Sequence, residues 1–198
     1  VQEFPHTKDW SWSVALIDDP DTVNAWCMAG GRMAVYSGLI DRLELTDDEF
    51  AQIMGHEISH ALANHTAERM SVAMASSVGV AAAGIASDRT GAALAGAALA
   101  AQLAVKLPNS RTGESEADAI GIELASKAGY DPAAAVTLWQ KMEAEGGAGP
   151  SEFLSTHPAP GNRQAALAEM VPAMQEIRRA EYVSPYPVEI VKEGADVT

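Results

Sequence analysis

Basic residues are scarce in this sequence. Its 198 residues include 13 lysines and arginines against 27 aspartates and glutamates, which gives a formal net charge of −14. A chain this acidic is poorly suited to binding nucleic-acid phosphates or an anionic bilayer through charge. We therefore expect no nucleic-acid partner.

Cysteine is almost absent as well. Cys27 is the single cysteine, which excludes an internal disulfide framework and a cysteine-rich zinc module. We expect it to be a small buried side chain. The chain begins at Val1 without a signal peptide, which indicates either a cytosolic protein or one whose targeting segment preceded this chain, and the lack of an initiator methionine favours the second.

No apolar run reaches the length of a membrane span. Residues 71–107 are rich in alanine and glycine, and their two apolar runs hold about 15 residues each where a span needs about 20. We expect a helical hairpin there. It is either a close-packed helix pair or an apolar surface for a peripheral membrane or protein partner.

The rest of the chain predicts one mainly helical α+β domain, residues 1–180, followed by an extended tail, residues 181–198. A small antiparallel sheet is expected from strands at 13–17, 24–28 and 32–36. Helices are expected from Thr46, over 111–128 and 132–145, and from 158 to about 180 with a break or kink at Pro172.

The segment His-Glu-Ile-Ser-His, residues 56–60, carries the chemistry. Residues four apart share one helix face, so His56 and His60 can reach one metal ion, with Glu57 beside it. Thr46 and Glu49 form a capping box that begins this helix. The alternative is an ordinary amphipathic helix with two surface histidines, which predicts no suitable carboxylate downstream.

A catalytic zinc needs a third protein ligand and one open position. A metzincin site is excluded because Ala63 and Thr66 stand where glycine and histidine are required. His65 is out of register with His60 and is interpreted as structural. On a second helix, Glu114 fits because Asp118 lies four residues further on the same face, and Glu116 is the competing choice.

The motif followed about fifty residues later by Ser-Arg-Thr-Gly-Glu-Ser-Glu-Ala-Asp, residues 110–118, resembles the gluzincin family. That family includes the CAAX prenyl proteases, the HtpX-type proteases and periplasmic quality-control metallopeptidases. The resemblance implies a zincin-like domain with one Zn²⁺ per chain, held by His56, His60 and Glu114. Glu57 is then the general base for zinc-activated water, and Asp118 accepts a hydrogen bond from a ligand histidine.

Two further segments resemble the family. One contains Asn24, Ala25, Gly30 and Gly31, and the resemblance implies an edge strand that binds the substrate backbone. An ordinary hairpin explains these glycines equally well. The other, Ser-Thr-His-Pro at 155–158 with Arg163, implies that His157 and Arg163 are catalytic residues that stabilise the oxyanion.

The resemblance implies a zinc-dependent endopeptidase for unfolded or misassembled polypeptides. It also implies a place in the bacterial periplasm, with or without a membrane anchor in a preceding segment. The competing hypothesis is a metal-binding chaperone or scaffold of the same fold with little proteolytic activity. Glu57 argues against it, because a purely structural zinc site needs no base.

Overall fold

The computed structural model describes residues 4–65, 110–145, 152–158 and 162–178, and the single residues 67, 68, 71, 74, 75 and 78. The expected hairpin at 71–107 lies almost entirely outside these residues, and the expected tail at 181–198 lies entirely outside them. Both remain predictions, as does the domain boundary at 180. Among the described residues, no helix has the length and apolar character needed to cross a bilayer.

A three-stranded sheet contains β1 (Ser13–Ile17), β2 (Ala25–Met28) and β3 (Arg32–Tyr36) in the order β1-β3-β2. The strands lie within one residue of the predicted positions. However, the prediction of an antiparallel sheet is wrong, because β1 pairs with β3 in parallel and only β2 is antiparallel to it.

Local contacts are found at both ends of β3, at the turn that precedes it and just after it. Gly30 and Gly31 adopt φ values of 97° and 81°, which glycine allows, and they reverse the chain between β2 and β3. After β1, the backbone of Asp19 accepts a hydrogen bond from Gly38 N at 3.1 Å. This contact lies just beyond the end of β1 and joins it to the chain that follows β3, the strand with which β1 pairs in parallel.

The helices are α1 (Ser37–Arg42), α2 (Asp47–Leu62), α3 (Arg111–Lys127), α4 (Ala134–Glu145), α5 (Glu152–Thr156) and α6 (Arg163–Ile177). The short α1 and α5 were not expected from the sequence. α6 contains Pro172 within one continuous helix, so the expected break does not occur there. The mainly helical, zincin-like fold class with one small sheet is confirmed.

Side chains fix the start of each helix that carries the motif residues. The Thr46 hydroxyl accepts a hydrogen bond from Glu49 N at 3.2 Å, and the Glu49 carboxylate accepts one from Thr46 N at 3.0 Å. The predicted capping box is therefore confirmed. Ser110 caps α3 by accepting a hydrogen bond from Gly113 N at 3.0 Å.

Two glycines allow α2 and α3 to pack closely. A Cβ on Gly55 would lie 2.6 Å from the carbonyl oxygen of Gly121, and one on Gly121 would lie 2.8 Å from His56 N. Contacts this short mean that a side chain at either position would force the two helices apart. The backbone of His56 therefore lies directly against α3.

The hydrophobic core lies between the sheet and these helices. Among its large side chains that are at most 2% exposed are Leu39, Ile53, Ile122, Met142 and Phe153. They come from α1, α2, α3, α4 and α5 and belong to one cluster. The inner face of α2 is thereby fixed, which is what a site built on that helix requires.

Candidate metal centre

Three side chains from two helices meet inside the molecule. The Nε2 atoms of His56 and His60, one turn apart on α2, are 3.1 Å from each other. Glu114 of α3 is 0% exposed, and its two carboxylate oxygens lie 3.3 Å from these two nitrogens, one oxygen on each. The structure therefore brings together the three residues predicted as metal ligands.

The donor set fits a zinc ion. Atoms bound to one tetrahedral zinc at about 2.0–2.1 Å lie about 3.3–3.4 Å apart, and imidazole nitrogen and carboxylate oxygen are ordinary zinc ligands. The observed separations of 3.1 to 3.3 Å match that spacing. This spacing would allow the two imidazoles and the carboxylate to bind one ion.

His157 adds a fourth donor to this cluster. Its Nδ1 lies 3.3 Å from Nε2 of His56 and 3.1 Å from a carboxylate oxygen of Glu114. The ring stacks on Phe153 of α5, with centroids 4.4 Å apart. Potential ligand atoms of His56, His60, Glu114 and His157 all lie within 4.8 Å of one another.

Glu57 lies on the same buried side of α2 as the two histidines. It is 3% exposed, and its Oε1 is 3.3 Å from Nε2 of His157. Cys27 lies close enough that burial, together with the negative charge of Glu57, raises the pKa of its thiol to about 12. Cys27 is therefore neutral and buried, as expected from the sequence.

Asp118 and Arg163 form a second layer behind the ligands. Asp118 Oδ1 lies 2.9 Å from Nδ1 of His56, so the hydrogen on Nδ1 faces the carboxylate and Nε2 is left for the metal. Arg163 donates to Asp118 and Glu114, at 2.6 Å in each case, and lies 3.8 Å above the ring centre of Trp139. These contacts favour a positioning role for Arg163, and its part in oxyanion stabilisation remains a prediction.

The buried charges shift the pKa values of the cluster. Burial lowers the pKa of His56, but hydrogen bonds to Asp118 and Glu114 outweigh burial and raise it to about 9. Burial lowers the pKa of His60 to about 3. Burial opposes ionisation of Glu114, yet hydrogen bonds from His157, His56 and His60 hold its pKa far below the usual range. The carboxylate is thus ionised, and a bound cation would displace the proton of His56.

His65 makes a contact with His60 that the sequence did not predict. It is not among the residues that could share one ion, as expected from its register. Its Nδ1 instead lies 2.9 Å from Nδ1 of His60, the ring nitrogen that faces away from the cluster. The signal in the sequence was Asn64, which tolerates the left-handed turn that ends α2 and redirects His65.

The predicted substrate-binding residues lie at the two ends of β2. Asn24 and Ala25 begin the strand, which packs against α2, and the Asn24 side chain accepts a hydrogen bond from Ala25 N at 2.9 Å. Gly30 and Gly31 form the hairpin turn, where Gly31 donates to Met28 O at 3.1 Å. Among the described strands β2 is an edge strand, whereas β3 is paired on both sides.

A buried pair of motif histidines, a glutamate from a neighbouring helix and a further glutamate beside them define a metallopeptidase type of site. The model of peptidase family M48 matches residues 1–171, and the chain belongs to that family. The resemblance to the gluzincin family is thereby confirmed.

Several relatives are metalloendopeptidases by name. The chain is 36% identical over 170 residues to the mitochondrial metalloendopeptidase OMA1 of Schizosaccharomyces pombe, covering 85% of this chain and 49% of the relative. It is 35% identical over 166 residues to the mitochondrial metalloendopeptidase OMA1 of Arabidopsis thaliana, covering 83% of this chain and 32% of the relative. It is 31% identical over 154 residues to the beta-barrel assembly-enhancing protease of Escherichia coli, covering 73% of this chain and 31% of the relative. The chain thus spans 31% to 49% of the length of these relatives.

Proposed function

We propose that this chain is a zinc-dependent endopeptidase domain. The observation that carries the proposal is the buried set of His56, His60 and Glu114, with donor atoms 3.1 to 3.3 Å apart and Glu57 beside it. When bound, zinc would polarise the scissile carbonyl and lower the pKa of a water molecule at the site. Membership of a peptidase family supports the same conclusion.

The protein side chains have three further roles, which are proton transfer, positioning of the metal ligands and stabilisation of the oxyanion. Glu57 accepts the proton of the attacking water as general base and delivers it to the leaving amine. Asp118 holds His56 in the tautomer that directs Nε2 at the metal, and Arg163 holds the carboxylates of Glu114 and Asp118 in place. His157 borders both Glu57 and Glu114, which is where a donor to the developing oxyanion is needed.

The substrate is an extended polypeptide that pairs with the edge of β2 that no described strand covers. This strand lies next to α2, so a peptide added there passes beside the metal centre. Backbone pairing places little demand on side chains and requires that the substrate be locally unfolded. We infer that Asn24 and Ala25 contact the peptide and that Gly30 and Gly31 end the groove.

Cleavage of casein, an unfolded protein, tests this function. We expect cleavage that a chelator abolishes and stoichiometric zinc restores. Glu57→Gln should still bind one zinc per chain but cleave about 10²- to 10⁴-fold more slowly, because the general base is lost. Glu123→Gln, an exposed change on α3, is the matched control and should cleave like the parent. If Glu57→Gln binds zinc and cleaves as fast as the parent, the mechanism is wrong.

A second candidate function is a metal-binding chaperone or scaffold with little proteolysis. The position of His157 favours it, because four protein donors around one ion are typical of structural zinc sites. The casein assay separates the two, since a scaffold would bind zinc without cleaving. In that case His157→Ala should not reduce any residual activity.

The cellular compartment is part of the proposal. We propose a bacterial periplasmic protein, attached to the membrane by a segment that precedes this chain or free of it. Two of the relatives are named as mitochondrial, and these support an organellar location as the alternative. Fractionation of the native host, with detection of this domain, decides between a periplasmic and an organellar location.

A further inference from the structure

His65 is a buried histidine that the mechanism above does not use. It is 7% exposed and comes just after α2, which ends at Leu62. Asn64 has a φ of 58°, in the left-handed region that asparagine tolerates, and this turn redirects the chain. The turn brings His65 against His60 and out of the position that a continued helix would give it.

Three contacts fix the His65 ring. Its Nδ1 lies 2.9 Å from Nδ1 of His60, and its Nε2 lies 3.4 Å from a carboxylate oxygen of Glu116. On another side the ring packs against Gly113, where a Cβ would lie 3.6 Å from His65 Nδ1. The ring is therefore held between the end of α2 and the first turn of α3.

One arrangement of hydrogens satisfies all of these contacts. To bind a metal ion, Nε2 of His60, which faces Glu114, must present a lone pair, so in the metal-bound protein the neutral ring would carry its hydrogen on Nδ1. That hydrogen is donated to Nδ1 of His65, which must then carry its own hydrogen on Nε2. The second hydrogen is donated to Glu116. The direction of every bond follows from the lone pair that His60 presents to the metal.

We propose that His65, oriented by Glu116, is a positioning residue that fixes the tautomer and ring orientation of His60 for metal binding. This inference rests on the zinc site proposed above. It gives His60 a support equivalent to the one that Asp118 gives His56, with an imidazole inserted between the ligand and the carboxylate.

The two supports differ in exposure. Asp118 is buried and bound to Arg163, whereas the Glu116 side chain is 56% exposed and shares its charge with water. An exposed carboxylate contributes less than a buried one to a hydrogen bond of this kind. Loss of the His65 ring should therefore weaken metal binding more than loss of Glu116.

The zinc dissociation constant, measured by competition with a chromophoric chelator at fixed pH, tests the role of His65. We expect His65→Phe to bind zinc about 10- to 100-fold more weakly, because phenylalanine fills the space but cannot accept from His60. His65→Gln should stay within about tenfold of the parent, since its amide can accept from His60 and donate to Glu116. The visible spectrum of the cobalt-substituted protein should change in His65→Phe and much less in His65→Gln.

Glu116→Ala tests the carboxylate without risk to the fold. It should weaken zinc binding by about three- to tenfold, while Glu123→Ala, two turns further along α3 and also exposed, should leave it unchanged. Thermal unfolding of the metal-free proteins serves as the control for stability. Equal midpoints together with unequal zinc affinities indicate positioning.

The outcomes separate this inference from the proposed function. If the parent binds one zinc while His65→Phe and Glu116→Ala bind it within about twofold of the parent, the role of His65 is refuted and the metal site stands. Equal weakening by His65→Phe and His65→Gln refutes the hydrogen-bond basis. A parent that binds no zinc refutes the metal site itself. If His65→Phe does not fold, the zinc affinities of His65→Gln and Glu116→Ala decide whether His65 has this role.

Discussion

Arg163 is a buried cation that spans two buried carboxylates. It is 4% exposed and donates to both Glu114 and Asp118. A guanidinium can bind two carboxylates at once through different nitrogens, which an ammonium on a flexible chain does poorly. The ion-pair network therefore depends on arginine and not merely on positive charge.

We predict that Arg163→Met lowers the free energy of unfolding of the metal-free protein by about 3–5 kcal/mol, because two buried carboxylates lose their partner. Arg163→Lys should recover only part of this loss. Arg178→Met is a matched control, because the side chain of Arg178 is one-third exposed and its removal should cost at most about 1 kcal/mol. Urea unfolding measures all three. A fully stable Arg163→Met would contradict the buried network.

At the scale of elements, the contact between α2 and α3 sets the geometry of the metal ligands. Gly55 and Gly121 lie where the helices touch, one residue before His56 and three residues after Asp118. Any side chain added there must separate the helices, since the nearest atoms are backbone. His56 would then move away from Glu114.

We expect Gly121→Ala to lower the free energy of unfolding by about 1–3 kcal/mol through overpacking, and to weaken zinc binding at the same time. Ser115→Ala, an exposed change on the same helix, should alter stability by less than about 0.5 kcal/mol and leave zinc binding intact. Unfolding curves and chelator competition provide the two measurements. Unchanged zinc affinity in Gly121→Ala would show that the helix contact does not govern the site.

A second link between elements joins α2 to α4 through charge. Burial raises the pKa of Glu49, but the hydrogen bonds from Lys141, Thr46 and Thr137, together with the charge of Lys141, outweigh burial and hold the pKa below the ordinary value of 4.5. A depressed pKa in the folded state means that this stabilisation is present above about pH 4.5 and is lost as pH falls through the folded value. The link should therefore weaken in acid.

For Lys141→Met, we predict a loss of stability relative to the parent that is greatest near neutral pH and shrinks as Glu49 becomes protonated in both proteins. Lys127→Met removes an exposed pair with Glu123 on one helix and should have little effect at any pH. Free energies of unfolding of the metal-free proteins, measured from pH 7 downward, test this. A deficit that stays constant with pH would contradict the role assigned to Glu49.

At the scale of the whole molecule, metal binding and folding are coupled. The ligands come from α2 and α3, which are separated in the chain and meet only in the folded state. An ion that binds the folded state alone stabilises it by mass action.

Zinc at a thousand times its dissociation constant should stabilise the protein by about 4 kcal/mol, which raises the Tm by on the order of 10 °C for a chain of this size. His60→Ala should abolish this rise, whereas His6→Ala, at an exposed position, should retain it. Calorimetry with and without zinc measures the effect. An equal rise in His60→Ala would place the bound zinc elsewhere.

Much of this molecule is encoded in short stretches of sequence. Thr46 and Glu49 determine where α2 begins, because each satisfies a backbone donor of the other. Helical periodicity then places His56 and His60 on one face, and the same periodicity pairs Glu114 with Asp118 on α3. Gly30 and Gly31 determine the β2–β3 reversal. Each of these features depends on neighbours within about four residues.

Features that join distant parts of the chain were decided only by tertiary structure. The parallel pairing of β1 with β3 joins residues 19 positions apart, such as Ser13 and Arg32. The hydrogen bond to Glu114 comes from Arg163, 49 residues away along the chain. Helical register alone separates His65 from the metal site, yet the turn at Asn64 brings it to His60. Local sequence patterns specify dihedral angles and faces, whereas contacts between elements depend on how those faces pack, so no short-range rule could supply them.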